Sequence, residues 1–348
     1  MIRLFTASDL PGVISVWNEA VEAKEVVYYP LTEAYFHKKF EQDPNYDPKY
    51  TFVAEEDGKI AGFINGVAKK VFLGGETNEN TPGFLTCVFV GKEYRGRGIG
   101  RALVETLGEA FKANGKSTFA VNGNNPINLD WIVPGTPGHD HNNAPGVDVD
   151  CPGFAFLKKL GFNDLHTEVA MYLNLSEYKP WDELKSRQEA LRAQGIETGR
   201  YDASLGYDYD TMCDGVESEY WRSVLKTEIQ CHRDGVPCTD IRFIPNGIVP
   251  AGPRPILAAT HEGKIVAFTG PVDKQMSGRG WFSGICTDPN YERRGIASVL
   301  FNLLMQEFVD EGAAFSTLFT GDDNHAQKIY KNAGLRVVKR FSIMKKAL

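Results

Sequence analysis

The chain has no Cys-x-x-Cys pair, no apolar run near the roughly 20 residues that span a bilayer, and no excess of positive charge. Each absence removes a class. The six cysteines (Cys87, Cys151, Cys213, Cys231, Cys238 and Cys286) are scattered, so they read as reduced thiols; only Cys231 and Cys238 are close enough in sequence to suggest a pair. With no apolar run, and with a start (Met1-Ile2-Arg3-Leu4-Phe5) unlike a secretory leader, a cytoplasmic protein with no membrane partner is expected. The formal charge of −7 argues against nucleic acid and for a cationic small acceptor. His139-Asp140-His141, with Asp148, Asp150 and Cys151 nearby, offers metal-ligand types but no zinc spacing, so no metal is expected.

What is present is a repeat. Val90-Gly91-Lys92-Glu93-Tyr94-Arg95-Gly96-Arg97-Gly98-Ile99-Gly100 aligns with Thr287-Asp288-Pro289-Asn290-Tyr291-Glu292-Arg293-Arg294-Gly295-Ile296-Ala297, 197 residues later. Upstream, Asp57-Gly58-Lys59-Ile60 matches Glu262-Gly263-Lys264-Ile265. Downstream, Lys159-Leu160-Gly161-Phe162 matches Asn332-Ala333-Gly334-Leu335, in the same order. A length of 348 residues also suits two domains of about 150. The expected division is a first domain over 1–178, a linker helix over 179–195 bracketed by Pro180 and Gly195, and a second domain over 196–348. Gly98 to Gly161 is 63 residues and Gly295 to Gly334 is 39, so the first copy carries 24 extra residues, placed in the Asn-, Pro- and Gly-rich stretch of about 122–152.

Each copy reads as a hairpin (at Asp57-Gly58 and Glu262-Gly263), a buried strand (84–90 and 282–287), a basic glycine turn and an amphipathic helix. The helices carry Leu103, Leu107, Ala110 and Phe111, and Leu300, Leu304, Phe308 and Val309, on one face. A glycine turn opening a helix offers free amides and a positive dipole end, which suit a phosphate. Arg95, Arg97 and Arg101 add cations in the first copy; Arg293 and Arg294 do so in the second. The spacing is wrong for a G-x-G-x-x-G dinucleotide site and lacks the G-K-[ST] of a P-loop, which leaves a simple helix cap as the other reading.

In these residues the chain resembles the GNAT superfamily of N-acetyltransferases, whose turn is worded [QR]-x-x-G-x-[GA]. Arg95 to Gly100 fits it fully; Glu292 to Ala297 departs only at Glu292. The resemblance covers most of both halves, as in tandem mycothiol-synthase-like proteins. It implies two α+β domains, each with a mixed, largely antiparallel sheet flanked by helices. It further implies acetyl-CoA as co-substrate and a small amine as acceptor. The pyrophosphate would lie on the amides of Gly96, Arg97, Gly98, Ile99 and Gly100, or on those of Arg293, Arg294, Gly295, Ile296 and Ala297. The pantetheine arm would meet Phe89 and Val90, or Ile285, Cys286 and Thr287. A family tyrosine four residues before the downstream glycine falls on Tyr330, the expected proton donor, with Asn324 as a cofactor contact or a cap. Leu157 stands in the corresponding place of the first copy. The resemblance therefore implies a catalytic C-terminal copy and an N-terminal copy that is degenerate or CoA-binding; a non-catalytic CoA sensor is the alternative. Asp288, Glu217 and Glu219 are candidate bases. Tyr207 to Asp210, with Tyr220 and Trp221, is a candidate acceptor pocket competing with an ordinary helix start.

Overall fold

Both predicted hairpins form at Asp-Gly and Glu-Gly turns in which the two turn residues have positive φ, the geometry that matches strand twist. The computed structural model describes residues 1–72, 75–207, 209–216, 219–239 and 250–348. Its compact units are Met1–Ala170 with Val338–Leu348, and Met171–Val337. The sequence reading divided the chain at 178 and 196 and left the last strand with the second copy; in the fold that strand belongs to the first unit.

Unit 1 is built from β1 (Ile2–Leu4), α1 (Leu10–Glu22), β2 (Thr51–Glu56), β3 (Lys59–Ala68), β4 (Gly83–Val90), α2 (Ile99–Ala113), β5 (Thr118–Val121), β6 (Val147–Asp148), α3 (Pro152–Lys159) and β7 (Asn163–Asn174), which runs on into unit 2. The chain's final strand, Arg336–Ala347, pairs antiparallel with β5 (Met344↔Val121, Ala347↔Thr118), and the order is β1-β2-β3-β4-β5-final strand-β7. Leu103, Leu107 and Phe111 of α2 are fully buried against β2 to β4, as the helical spacing predicts. On the other face α1 buries Val13 and Trp17 with Phe36, Phe40 and Phe63.

The extra stretch of the first copy is ordered by its own apolar residues. Ile127, Leu129, Trp131 and Val133 are buried, and Trp131–Ile132 pairs with Asp140–His141. His141 stacks on the Trp131 indole and its Nδ1 accepts from the Asn143 amide, so it serves the loop. Among the described residues no group of three or more His, Cys, Asp or Glu is arranged to hold a metal.

Unit 2 holds α4 (Leu184–Arg192), β8 (Glu197–Arg200), α5 (Glu219–Asp234), β9 (Leu257–His261), β10 (Lys264–Thr269), β11 (Arg279–Trp281), β12 (Ile285–Thr287), α6 (Ile296–Asp310), β13 (Phe315–Gly321) and α7 (Gln327–Asn332); the final strand is β14. The linker helix is shorter than its sequence bracket and buries Leu191. Strands run β8-β9-β10-β12, while β11 pairs in parallel with β13. Leu300, Leu304 and Phe308 of α6 are fully buried, and Val309 only partly. The run 282–287, read as one strand, is interrupted. Trp281 ends the pairing with β13 and Ile285 begins pairing with β10, so Phe282, Ser283 and Gly284 change partners. Among the described residues no helix is long and apolar enough to cross a membrane.

Candidate functional site

In unit 1, β4 is paired along its length with β3 but meets β5 only at Gly83↔Phe119 and Phe84↔Ala120. From Leu85 to Val90 the edge facing β5 is open. A cavity of about 460 Å³ fills the gap, lined by those six residues, the turn residues Arg95, Gly96, Gly98, Ile99 and Gly100, and Arg101. Asn125 marks its inner end, donating to Leu85 O (3.3 Å) and Thr86 Oγ1 (3.1 Å).

The turn is built for close approach. Gly98 caps α2 at φ 84°, in the left-handed region, and a Cβ on Gly96 or Gly98 would meet nothing within 4 Å. The Ala102 amide donates to Gly98 O, so the amides of Ile99, Gly100 and Arg101 precede the first intrahelical bond. Free amides, open space and a helix dipole make a fitting seat for a pyrophosphate.

The arginines divide their work. Arg95 forms a two-pronged pair with Glu25 (2.8 Å on each prong) and donates through Nε to Val90 O (2.9 Å). This pairing raises the Arg95 pKa and lowers that of Glu25. Arg95 thus braces the end of β4 on the loop after α1. Arg97 lies over the Tyr94 ring and donates to Glu93 O. Arg101, exposed and loosely paired with Glu105 at 3.6 Å, is the cation on the cavity rim. Phe89 is buried against Trp17 with its edge on the cavity.

The opposite wall went unrecognised in the sequence. It comprises Tyr28, Ala144, Gly146 to Asp148 and the start of α3 at Cys151 to Gly153, with Leu157 at the base. Composition marked that stretch as loop, and only its Asn and Gly content hinted at tight turns.

Unit 2 repeats the turn with differences. Gly295 caps α6 at φ 86° and is also open above. Arg293 holds φ 59° where the first copy has Gly96, so a side chain occupies a glycine conformation. Glu292 is exposed; Arg294 lies over Tyr291 and donates to Asn290 O. Ala297 is half-buried and Ile296 fully buried at the helix start. Ile285, Cys286 and Thr287 pair with β10 on one edge, and burial pushes the Cys286 thiol up.

Tyr330 on α7 packs against Phe301 (4.8 Å between ring centres) and Phe282 (5.7 Å), the latter in the break between β11 and β12. Burial raises its pKa to about 12. Both side-chain ends of Asn324 are engaged, Nδ2 donating to Thr320 Oγ1 and Oδ1 accepting from the Ala326 amide in the turn before α7. Asp288 caps Asn290, and Glu219 is exposed at the start of α5. Tyr209 is fully buried against Phe268 and Tyr201, and Trp221 donates to Gly270 O, so these two rings serve the core. Asp208 and Glu217 lie outside the described residues.

Among solved structures, the glucosamine N-acetyltransferase region of a fungal multi-domain β-N-acetylglucosaminidase aligns with 99% of this chain at 16% identity and a TM-score of 0.62; this chain spans 38% of that protein. A GCN5-related N-acetyltransferase from Sphaerobacter thermophilus aligns over 100% of this chain and 95% of its own (15% identity, TM-score 0.56). A tandem GNAT protein from the clavulanic acid biosynthesis pathway does so over 100% and 98% (13% identity, TM-score 0.53). At these identities the likeness concerns the fold. No curated protein matches by sequence. The family model described as Acetyltransferase (GNAT) family matches residues 14–130 and 221–335, more than half of the chain and one stretch in each copy. The chain therefore belongs to the GNAT family of acetyltransferases.

Proposed function

We propose that the protein transfers the acetyl group of acetyl-CoA to a small amine. In this reading unit 2 is the catalytic copy, with Tyr330 as its general acid, and unit 1 is a CoA-binding copy that takes the cofactor between β4 and β5. The parting of the two strands beneath the glycine turn carries the reading. From Leu85 to Val90 it leaves the edge facing β5 without a strand partner beside the cavity, its two ends held at Leu85 O by Asn125 and at Val90 O by Arg95. That edge would hold the pantetheine arm, and the amides from Gly96 to Arg101, with the Arg101 side chain, would hold the pyrophosphate. Bound acetyl-CoA supplies an activated thioester. The protein must then offer the carbonyl oxygen a donor and the departing thiolate a proton.

Leu157 has no proton to give. Tyr330 does: a phenol carries its proton at neutral pH, and burial beside Phe282 and Phe301 raises its pKa further. The acidic composition, at a formal −7, supports a cationic amine as acceptor.

The test is thiol release from acetyl-CoA across an amine panel, with CoA binding measured in parallel. Tyr330→Phe is expected to lower kcat by about 100-fold, the low end of general-acid contributions, and to leave CoA binding intact. An unchanged kcat moves the chemistry to unit 1, the second reading, which the size of the cavity there favours. Binding of CoA with no turnover on any amine favours a sensor, and absence of binding refutes the proposal.

A further inference from the structure

One wall of the unit 1 cavity is a short segment, 144–151, in which Pro145 is buried and Val147 packs on the core. Its backbone is held by the last strand of the chain. β6 pairs antiparallel with β14 (Val147↔Ser342, Asp148↔Phe341), and the Val149 amide donates to Arg340 O at 3.1 Å. Gly146 lies so close to that strand that a Cβ would stand 2.2 Å from Ser342 O, so only glycine fits there. One residue beyond this pairing, Lys339 reaches back over the segment. Its Nζ is 2.8 Å from Asp148 Oδ2 and 3.1 Å from Asp150 Oδ2.

The ion pair with Asp148 is largely withdrawn from water, at 14% and 9% side-chain exposure. The other oxygen of Asp148 accepts from the Asp150 amide, and its carbonyl accepts from the Cys151 amide. Asp148 thus shapes the turn that delivers Cys151 and starts α3, and α3 places Phe156 against Gly100 of the phosphate turn. A chain of contacts runs from Lys339 through Asp148 and α3 to the cofactor seat, all of it within unit 1.

We infer that Lys339 is a positioning residue for the unit 1 cavity, holding the 144–151 wall so that the first copy's cofactor seat is completed by the last strand of the chain. The inference rests on reading that cavity as the CoA site. It follows that the first copy's site depends on a residue encoded nearly two hundred positions after its wall. Both carboxylates lie in the stretch that the first copy has and the second lacks, so the clamp belongs to unit 1 alone.

The experiment uses the full chain and two readouts. One is CoA binding by calorimetry. The other is hydrogen exchange at the Val149 and Cys151 amides without ligand, a measure of local opening that needs no assumption about the ligand. Lys339→Met is expected to speed exchange at both amides and to weaken CoA binding by about tenfold, Lys339→Arg to restore both, and Asp148→Asn to resemble Lys339→Met. Lys346→Met, on the same strand away from the wall, is the control for a general effect on folding. Unchanged exchange in Lys339→Met overturns the clamp whatever the affinity does. Faster exchange with wild-type CoA affinity overturns its connection to the site. If the wild-type chain binds no CoA, the reading of the cavity falls, while the exchange result still reports on the clamp.

Discussion

Gly98 and Gly295 offer a matched perturbation in the two copies. Each caps the helix after the turn, at φ 84° and 86°, and a Cβ on either meets nothing within 4 Å. Replacement by alanine therefore adds no clash and costs only backbone strain. A left-handed conformation costs an L-residue roughly 1–2 kcal/mol. Loss of glycine's freedom in the unfolded chain returns about 0.4–1 kcal/mol. The net destabilisation is about 1 kcal/mol at either site, which lowers Tm by about 2–4 °C for a unit of this size. The two variants should be indistinguishable in stability. They should separate in CoA binding. At Gly98 the new methyl group enters the space above the amides of Gly96 to Arg101. Loss of one charge-assisted amide–phosphate bond, about 1.5–3 kcal/mol, weakens binding at least about tenfold. Differential scanning calorimetry and CoA titration of Gly98→Ala and Gly295→Ala measure both quantities. Equal Tm losses with undiminished CoA affinity in Gly98→Ala would refute the turn as phosphate seat. Weakened binding in Gly295→Ala as well would reveal a second seat in unit 2.

Two stability predictions follow from buried charge. The Arg3 pair at 2.7–2.8 Å lowers the Asp9 pKa from 3.8 to about 2. A depressed carboxylate contributes stability above its unfolded pKa and loses it as pH falls through the folded one, so Asp9→Asn should remove about 2 kcal/mol near neutrality and flatten the loss between pH 4 and 2 in acid titrations. In unit 2, Glu228 is fully buried and accepts from the Arg254 amide and guanidinium, which also pairs with Asp273 at 2.6 Å. Glu228→Ala leaves that guanidinium short of a partner and should cost about 3–5 kcal/mol in urea unfolding; a loss below 1 kcal/mol would show that water replaces the carboxylate.

Much of the fold was legible because its signals are local. The hairpin turns, the glycine caps and the inward faces of α2 and α6 are all set within a few residues, and the repeat stated each of them twice. The misreadings concern partners distant in sequence. Phe282 to Thr287 has the composition of one strand, and nothing in it reveals that pairing with β13 has ended at Trp281 and that pairing with β10 begins only at Ile285. Arg95 reads as a cation beside the turn and does line the cavity, but nothing local reveals its pair with Glu25, seventy residues earlier. Nothing in residues 336–347 names the neighbour of a strand there, so the return of β14 to unit 1 was invisible.

These distant partners change what the two copies can be. The glycine turn is a local device, so a repeat preserves it, and the first copy keeps the version with glycine at both left-handed positions. The second copy has Arg293 at one of them and accepts the strain that a side chain brings there. A phosphate seat needs backbone that can be approached, which points to unit 1. A general acid needs a proton to give beside the reacting thioester, and Tyr330, next to the strand break in unit 2, is the candidate there. If one seat did both tasks, Leu157 and Arg293 would each be a defect. If unit 1 binds CoA without catalysing transfer, the lack of an acid at Leu157 costs nothing there, and Arg293 is a strain that the turn of a catalytic unit 2 tolerates. Counting CoA per chain in the wild type, Gly98→Ala and Gly295→Ala separates these cases. Two equivalents in the wild type, one lost in each variant, would give each copy its own seat and leave Tyr330 beside the cofactor of unit 2; one equivalent, lost only in Gly98→Ala, would leave unit 2 without a cofactor and refute Tyr330 as the general acid.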